Sequence, residues 1–145
     1  MLRLSALFPV MLLAIQFAPS ASAANGLEPG AYDIAVRLEL PHVEDSGATR
    51  TTTLCIARDR PALGLKVLSA NNPLANCPAS SIVATDAELT FEIACPGGNA
   101  AVASARYKLN GDRFQGRISM KMGGKNMTMT ETQAGRRTGL CPPPS

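Results

Sequence analysis

The chain is predicted to be mainly β: an antiparallel meander of about seven strands, forming a curled sheet or partly open barrel, with one short helix and two disulfides. Three observations predict it. Apolar and polar residues alternate with period two in a series of short runs. Asn-Gly, Gly-Gly and other turn-forming residues separate those runs. Four cysteines all lie downstream of an export-type leader, where an even count in a small domain reads as a disulfide framework.

The leader is read from three parts. Arg3 is a positive n-region, residues 4–18 are an apolar run, and Ala21-Ser22-Ala23 is the small-x-small pattern of a signal peptidase site. The run is interrupted by Pro9 and Gln16, which suits the apolar core of a leader better than a membrane anchor. Cleavage after Ala23 would leave residues 24–145 as a single β-rich domain of 122 residues. No later stretch approaches the roughly 20 apolar residues that a spanning helix needs, so no membrane span is expected after cleavage. The expected location is the periplasm or the medium.

The first strand covers residues 30–40, where Tyr32, Ile34, Val36, Leu38 and Leu40 alternate with Asp33, Ala35, Arg37 and Glu39. An acidic loop leads to residues 49–56, rich in β-branched side chains and read as the returning strand of a hairpin. Pro61 then suits the first turn of a short helix over residues 59–68, which Gly64 weakens by roughly 1 kcal/mol, and Asn71-Asn72-Pro73 ends it. Residues 77–95 form a hairpin turning at 85–87. Pairing Ala84 with Glu88 sets Cys77 opposite Cys95, at a Cα separation of about 4.5 or 5.5 Å that suits a disulfide. Of the three pairings open to four cysteines, this register selects Cys77 with Cys95 and leaves Cys55 with Cys141. Residues 101–109 and 113–122 flank Asn110-Gly111 as a further hairpin, with Tyr107 expected opposite Phe114 and Ala105 opposite Gly116. Gly123-Gly124 leads to a last strand over residues 126–133 and a tail ending at Cys141.

Charge excludes little by itself. Without the leader the chain has 13 basic and 11 acidic side chains, but residues 101–145 carry 8 basic and 2 acidic ones, which reads as a basic solvent face on two strands. Nucleic acid is not expected as a partner, because Tyr32, Phe91, Tyr107 and Phe114 are spaced as core and leave no aromatic residue for base stacking.

Met120, Met122, Met127 and Met129 form two M-x-M pairs across a glycine turn. Thioethers at that spacing suit Cu(I) or Ag(I), and they also suit adaptable packing of a sheet poor in large side chains. His42, the sole histidine, has only Glu44 and Asp45 nearby and reads as a solvated loop residue. The sequence lacks G-x-S-x-G, H-E-x-x-H, a phosphate-cradling glycine loop and C-x-x-C. No catalytic residue or cofactor is therefore assigned, and an enzyme is not expected.

Pro29-Gly30-Ala31-Tyr32-Asp33-Ile34, Cys55 ahead of the short helix, the Cys77 to Cys95 hairpin, and the Thr- and Met-rich residues 118–132 followed by Arg136-Arg137-Thr138-Gly139-Leu140-Cys141 resemble the DUF3617 proteins. These are small exported proteins of Gram-negative bacteria with no assigned function. Members commonly have Trp after the first Pro-Gly, where this chain has Tyr32. The resemblance implies compartment and fold and carries no catalytic residue.

The functional expectation is a non-enzymatic binding module. A sheet lined by Val36, Leu38, Leu89, Phe91, Ile93, Tyr107, Phe114 and Ile118 would enclose a small apolar ligand or meet an envelope partner, unless the same side chains simply fill a core. The alternative is Cu(I) or Ag(I) handling by the four methionines.

Overall fold

A computed structural model describes residues 26–41, 48–58, 64–98, 100–124 and 127–143. The export leader, the loop holding His42, Glu44 and Asp45, and the first half of the expected helix lie outside the described residues.

Seven strands form one antiparallel sheet: β1 (Gly30–Glu39), β2 (Arg50–Ile56), β3 (Ala79–Ala84), β4 (Glu88–Ala94), β5 (Val102–Asn110), β6 (Arg113–Met122) and β7 (Met127–Gly139). Their order is β2-β1-β7-β6-β5-β4-β3. Strands β3 to β7 run as a meander, after which β7 pairs with β1, so the first hairpin is attached at the far side. Edge strands β2 and β3 do not pair with each other, and the sheet stays open.

This order requires residues 57–78 to pass from one edge of the sheet to the other. The described part of this connection, residues 64–78, lies as a strap over the apolar face. Leu65, Val67 and Leu74 are all buried there against Tyr32, Ile34, Phe91, Tyr107, Phe114 and Ile118. The expected helix does not extend over residues 65–68, where burial alternates as Leu65 in, Lys66 out, Val67 in. That period of two belongs to extended chain laid on a surface. Further along lies a 3-10 helix, Pro73–Asn76, with proline at its start and Asn72 as its cap, accepting from the Leu74 N–H at 3.0 Å.

Polar groups fasten the strap. Glu131, fully buried on β7, accepts from the backbone N–H groups of Leu68 (2.8 Å) and Ser69 (2.9 Å). Gln133 donates to Lys66 O (2.7 Å) and to Glu131 (2.6 Å), and accepts from the Tyr107 hydroxyl (3.1 Å). Extended chain that pairs with no strand, as at residues 65–69, leaves backbone polar groups without ladder partners, and inward-facing carboxyl and amide side chains supply what the apolar face cannot.

Both disulfides bracket the strap. Cys55, next to the end of β2, bonds Cys141, and Cys77, just past the 3-10 helix, bonds Cys95 (Cα separation 4.9 Å). These are the pairings expected from the hairpin register. That register holds only in part, because Ala79 faces Ile93 but Ala84 faces Leu89, one residue out of step with the expected Glu88. The slip occurs between Ser80 and Val83, with Ser81 at φ 51°, and it turns Val83 outward to 61% exposure. It is a bulge on an edge strand, which disfavours pairing with another chain.

The β5–β6 register also differs from expectation. Asn110 pairs with Arg113, so the turn is Gly111-Asp112, with Gly111 at φ 57°, a conformation glycine adopts at no steric cost. Tyr107 therefore faces Gly116, and Leu109 faces Phe114. The shift of two residues keeps every side chain on its expected face. It seats the Tyr107 ring over Gly116, and on the next pair the Phe114 ring over Gly135, where in each case an added Cβ would overlap the ring. The last strand is longer than expected, running to Gly139, because β1 and β6 pair with it on both sides and make Gly135, Arg136 and Arg137 part of the sheet.

Candidate functional site: the concave polar face

Among the described residues nothing covers the second face of the sheet. It is concave, enclosing about 910 Å³ between Arg37 and Thr49 on one side and Thr90 and Ser81 on the other. A further concavity of about 460 Å³ continues along the strands, sharing Glu92, Ser104 and Ser119 with the first.

Strand phase decides what points outward on this face, and of the cations it places there Arg106, Lys108 and Arg117 line the trough and Lys121 its continuation. On β5, β6 and β7 the residues between the buried ones are outward, and they include Arg106, Lys108, Arg113, Arg117, Lys121 and Arg136. No acidic side chain points outward from these three strands. Register then sets cations side by side, since Arg106 is the direct partner of Arg117 and Arg113 that of Arg136. Like charges in direct cross-strand positions repel.

Carboxylates occur at the flanks. Glu88 on β4 meets Arg106 at 3.4 Å, and Glu39 on β1 meets Arg117 at 3.4 Å. Both pairs are exposed and contribute little to stability. Each guanidinium has five N–H donors, so one such contact leaves donors directed at the trough. Thr90, Ser104, Ser119, Thr132 and Gln115 line the floor with neutral hydrogen-bonding groups.

The residues singled out in the sequence are distributed elsewhere. Val36, Phe91, Tyr107 and Phe114 are buried core residues, and Leu38 is partly buried against them. Phe91 and Tyr107 stack with centroids 5.8 Å apart, and Tyr107 meets Phe114 edge-on at the same distance. The strap lies against this cluster, so these side chains pack against one another and against Leu65, Val67 and Leu74. Burial raises the Tyr107 phenol far above its ordinary pKa, and nearby Glu131 acts in the same direction. Burial likewise pushes Tyr32 up to about 12, against the opposing charge of Arg137; its hydroxyl donates to Glu28 O at 2.6 Å.

The four methionines do come together. Met120 is the direct partner of Met129, and Met122 of Met127, all on the core-facing side at one end of the β6–β7 hairpin. Met120 is 2% exposed and its sulfur accepts from Asn72 Nδ2 at 3.2 Å, whereas Met127 is 46% exposed. Among the described residues no cluster of His, Cys, Asp or Glu has the makings of a metal site, and no helix is long and apolar enough to cross a membrane.

Sequence reasoning detected the cationic excess of residues 101–145 but not the trough. The signal was present in the strand phase, since the basic residues of β5 and β6 all fall between the inward-facing ones. The curl that turns this face into a cavity, and the arrival of Arg37 from β1, depend on the pairing of β1 with β7.

The sequence model of a family described as "Protein of unknown function (DUF3617)" matches residues 27–141, from the first described turn to the last cysteine. No curated protein and no solved structure matches.

Proposed function

The chain belongs to the DUF3617 family, and on that premise we propose that it is an exported cell-envelope domain that works by binding, without catalysis, through the concave face of its sheet. The observation that carries this reading is the asymmetry of the sheet. One face is closed by a strap held by two disulfides and a buried polar network, whereas the other encloses about 910 Å³ and is covered by nothing in the described chain. A small ligand or a segment of an envelope partner would sit there without disturbing the core. The leader pattern of residues 1–23 and the pairing of all four cysteines support export to an oxidising space. Native mass spectrometry of the protein taken from its own periplasm tests this. Wild type should retain a bound molecule, and Ser119→Trp, which fills the floor where the two concavities meet, should lose it with an unchanged circular dichroism spectrum. Retention that is indifferent to Ser119→Trp would move the site off this face.

A second reading, Cu(I) or Ag(I) binding, is favoured by the direct cross-strand pairing of Met120 with Met129 and of Met122 with Met127, which assembles four soft donors on one surface. Competition with a chromophoric Cu(I) chelator decides it. Tight one-to-one binding that vanishes when all four methionines are replaced by leucine would establish a copper site. The concave-face reading expects no such binding.

A further inference from the structure

We infer that the ligand of the concave face is a small phosphorylated saccharide or polyol, its oxyanion held by Arg106 and Arg117 and its hydroxyl groups by the neutral floor. The inference rests on the reading of this face as the binding surface and adds the class of ligand. Arg106, Lys108 and Arg117 from the middle of the sheet line the trough together with Arg37 from β1, Lys121 lines its continuation, and the one carboxylate that lines it is Glu92 on β4. Two of those cations, Arg106 and Arg117, are direct register partners in the row that runs Arg37, Thr132, Arg117, Arg106, Thr90. Their side chains are 72% and 59% exposed, and each meets a carboxylate on the side away from the other, Glu88 and Glu39, which offsets only part of the repulsion between them. An oxyanion between two guanidinium groups reverses that repulsion and takes paired N–H donors in the geometry that arginine supplies best.

The surroundings narrow the class. Thr90, Ser104, Ser119, Thr132 and Gln115 are uncharged donors and acceptors suited to the hydroxyls of a sugar or polyol. The outward faces of β1 and β4 to β7 carry no aromatic side chain, so the trough offers nothing for a nucleobase to stack on. Glu39, Glu88 and Glu92 stand on the flanking strands, and this acidic margin repels a flat anionic bilayer while leaving a concave centre open to a small anion.

Titration calorimetry and ¹⁵N chemical-shift mapping of the disulfide-bonded domain test the inference, with four probes: glucose 1-phosphate, inorganic phosphate, glucose, and phosphatidylglycerol vesicles. Glucose 1-phosphate is expected to bind at least tenfold more tightly than phosphate or glucose, with shifts confined to residues of the trough. Arg106→Gln with Arg117→Gln should weaken it at least tenfold at unchanged thermal stability, and Arg50→Gln on β2, outside the trough, should leave it unchanged. Three results would overturn the inference: no binding of the phosphate probes, binding indifferent to the paired arginine variant, or vesicles binding in preference to the soluble sugar phosphate. If Ser119→Trp abolishes retention of the native molecule while glucose 1-phosphate does not bind, the concave face remains the binding surface and the phosphorylated class is wrong.

Discussion

The two faces of this sheet are built from alternate residues of the same strands, yet one obeys the rules of a stable core and the other breaks them. On the core face each ring of Tyr107 and Phe114 lies over a glycine, and the buried Glu131 and Gln133 find partners in the strap. On the concave face arginine stands directly opposite arginine twice, and the trough is left open. Stability accounts for the first pattern and not for the second. The binding role proposed for the concave face would account for the arginine pairs that stability alone does not favour.

The seal on the core face is the place to strain the contrast hardest. Cys55→Ala with Cys141→Ala opens a connection of 86 residues, and the loop-entropy relation gives a loss of about 4.5 kcal/mol. Replacing Cys77 and Cys95 opens one of 18 residues and should cost about 3 kcal/mol. Urea denaturation with a common m-value measures both, and equal losses would show that the chain between β2 and β7 is already constrained when unfolded.

Glu131→Leu should cost about 3 kcal/mol, because it leaves the N–H groups of Leu68 and Ser69 without acceptors beneath the strap. Its neighbour on the other face, Thr132→Val, should stay within about 0.5 kcal/mol. Hydrogen exchange should show the amides of residues 66–69 losing protection in the first variant alone. If both variants unfold the protein equally, the division into faces fails.

Gly135→Val forces the Phe114 ring out of its seat and should cost roughly 2 to 3 kcal/mol, while Ala134→Val, one position away and outward, should be nearly neutral. Alkaline titration separates the faces by pH. Both tyrosines are on the core side, with phenol pKa values raised by burial, Tyr32 to about 12. A raised phenol pKa in the fold means that the unfolded chain releases its protons first, so stability is full below pH about 10 and falls as pH rises toward and past 12. Phenolate absorbance should accordingly stay flat through pH 10, rise near pH 12 as Tyr32 ionises, and reach its full two-tyrosine value only with unfolding. The smallest effect is the most pointed one. Arg106→Thr removes a like-charge pair from the concave face and should leave stability unchanged or raise it by up to roughly 0.5 kcal/mol. A clear loss would mean that these arginines serve the fold after all.

Much of the sheet was legible because each strand alternates cleanly. Residues 113–122 are read as a strand from sequence and are one, and the disulfide pairs follow from the hairpin of residues 77–95. Registers were less legible. Asn110-Gly111 marks a turn without saying which two residues form it, and steric fit of Tyr107 over Gly116 and of Phe114 over Gly135 favours the observed choice. Residues 65–68 were misread as helix because the burial of Leu65 and Val67 on an extended path depends on a sheet that local sequence does not contain. For the same reason Glu131 and Gln133, polar residues in a Thr-rich strand, gave no sign of being buried.

Local sequence thus determined the class of this domain, the strand phases and the cysteine pairing, since period-two alternation and a hairpin register are properties of neighbours in the chain. Tertiary structure alone decided that β1 joins β7, that residues 64–78 lie over one face, and that Arg37, Arg106, Lys108 and Arg117 gather in a trough. Those outcomes depend on which distant strands share hydrogen bonds, and many alternating segments satisfy the same local pattern before long-range packing selects among them.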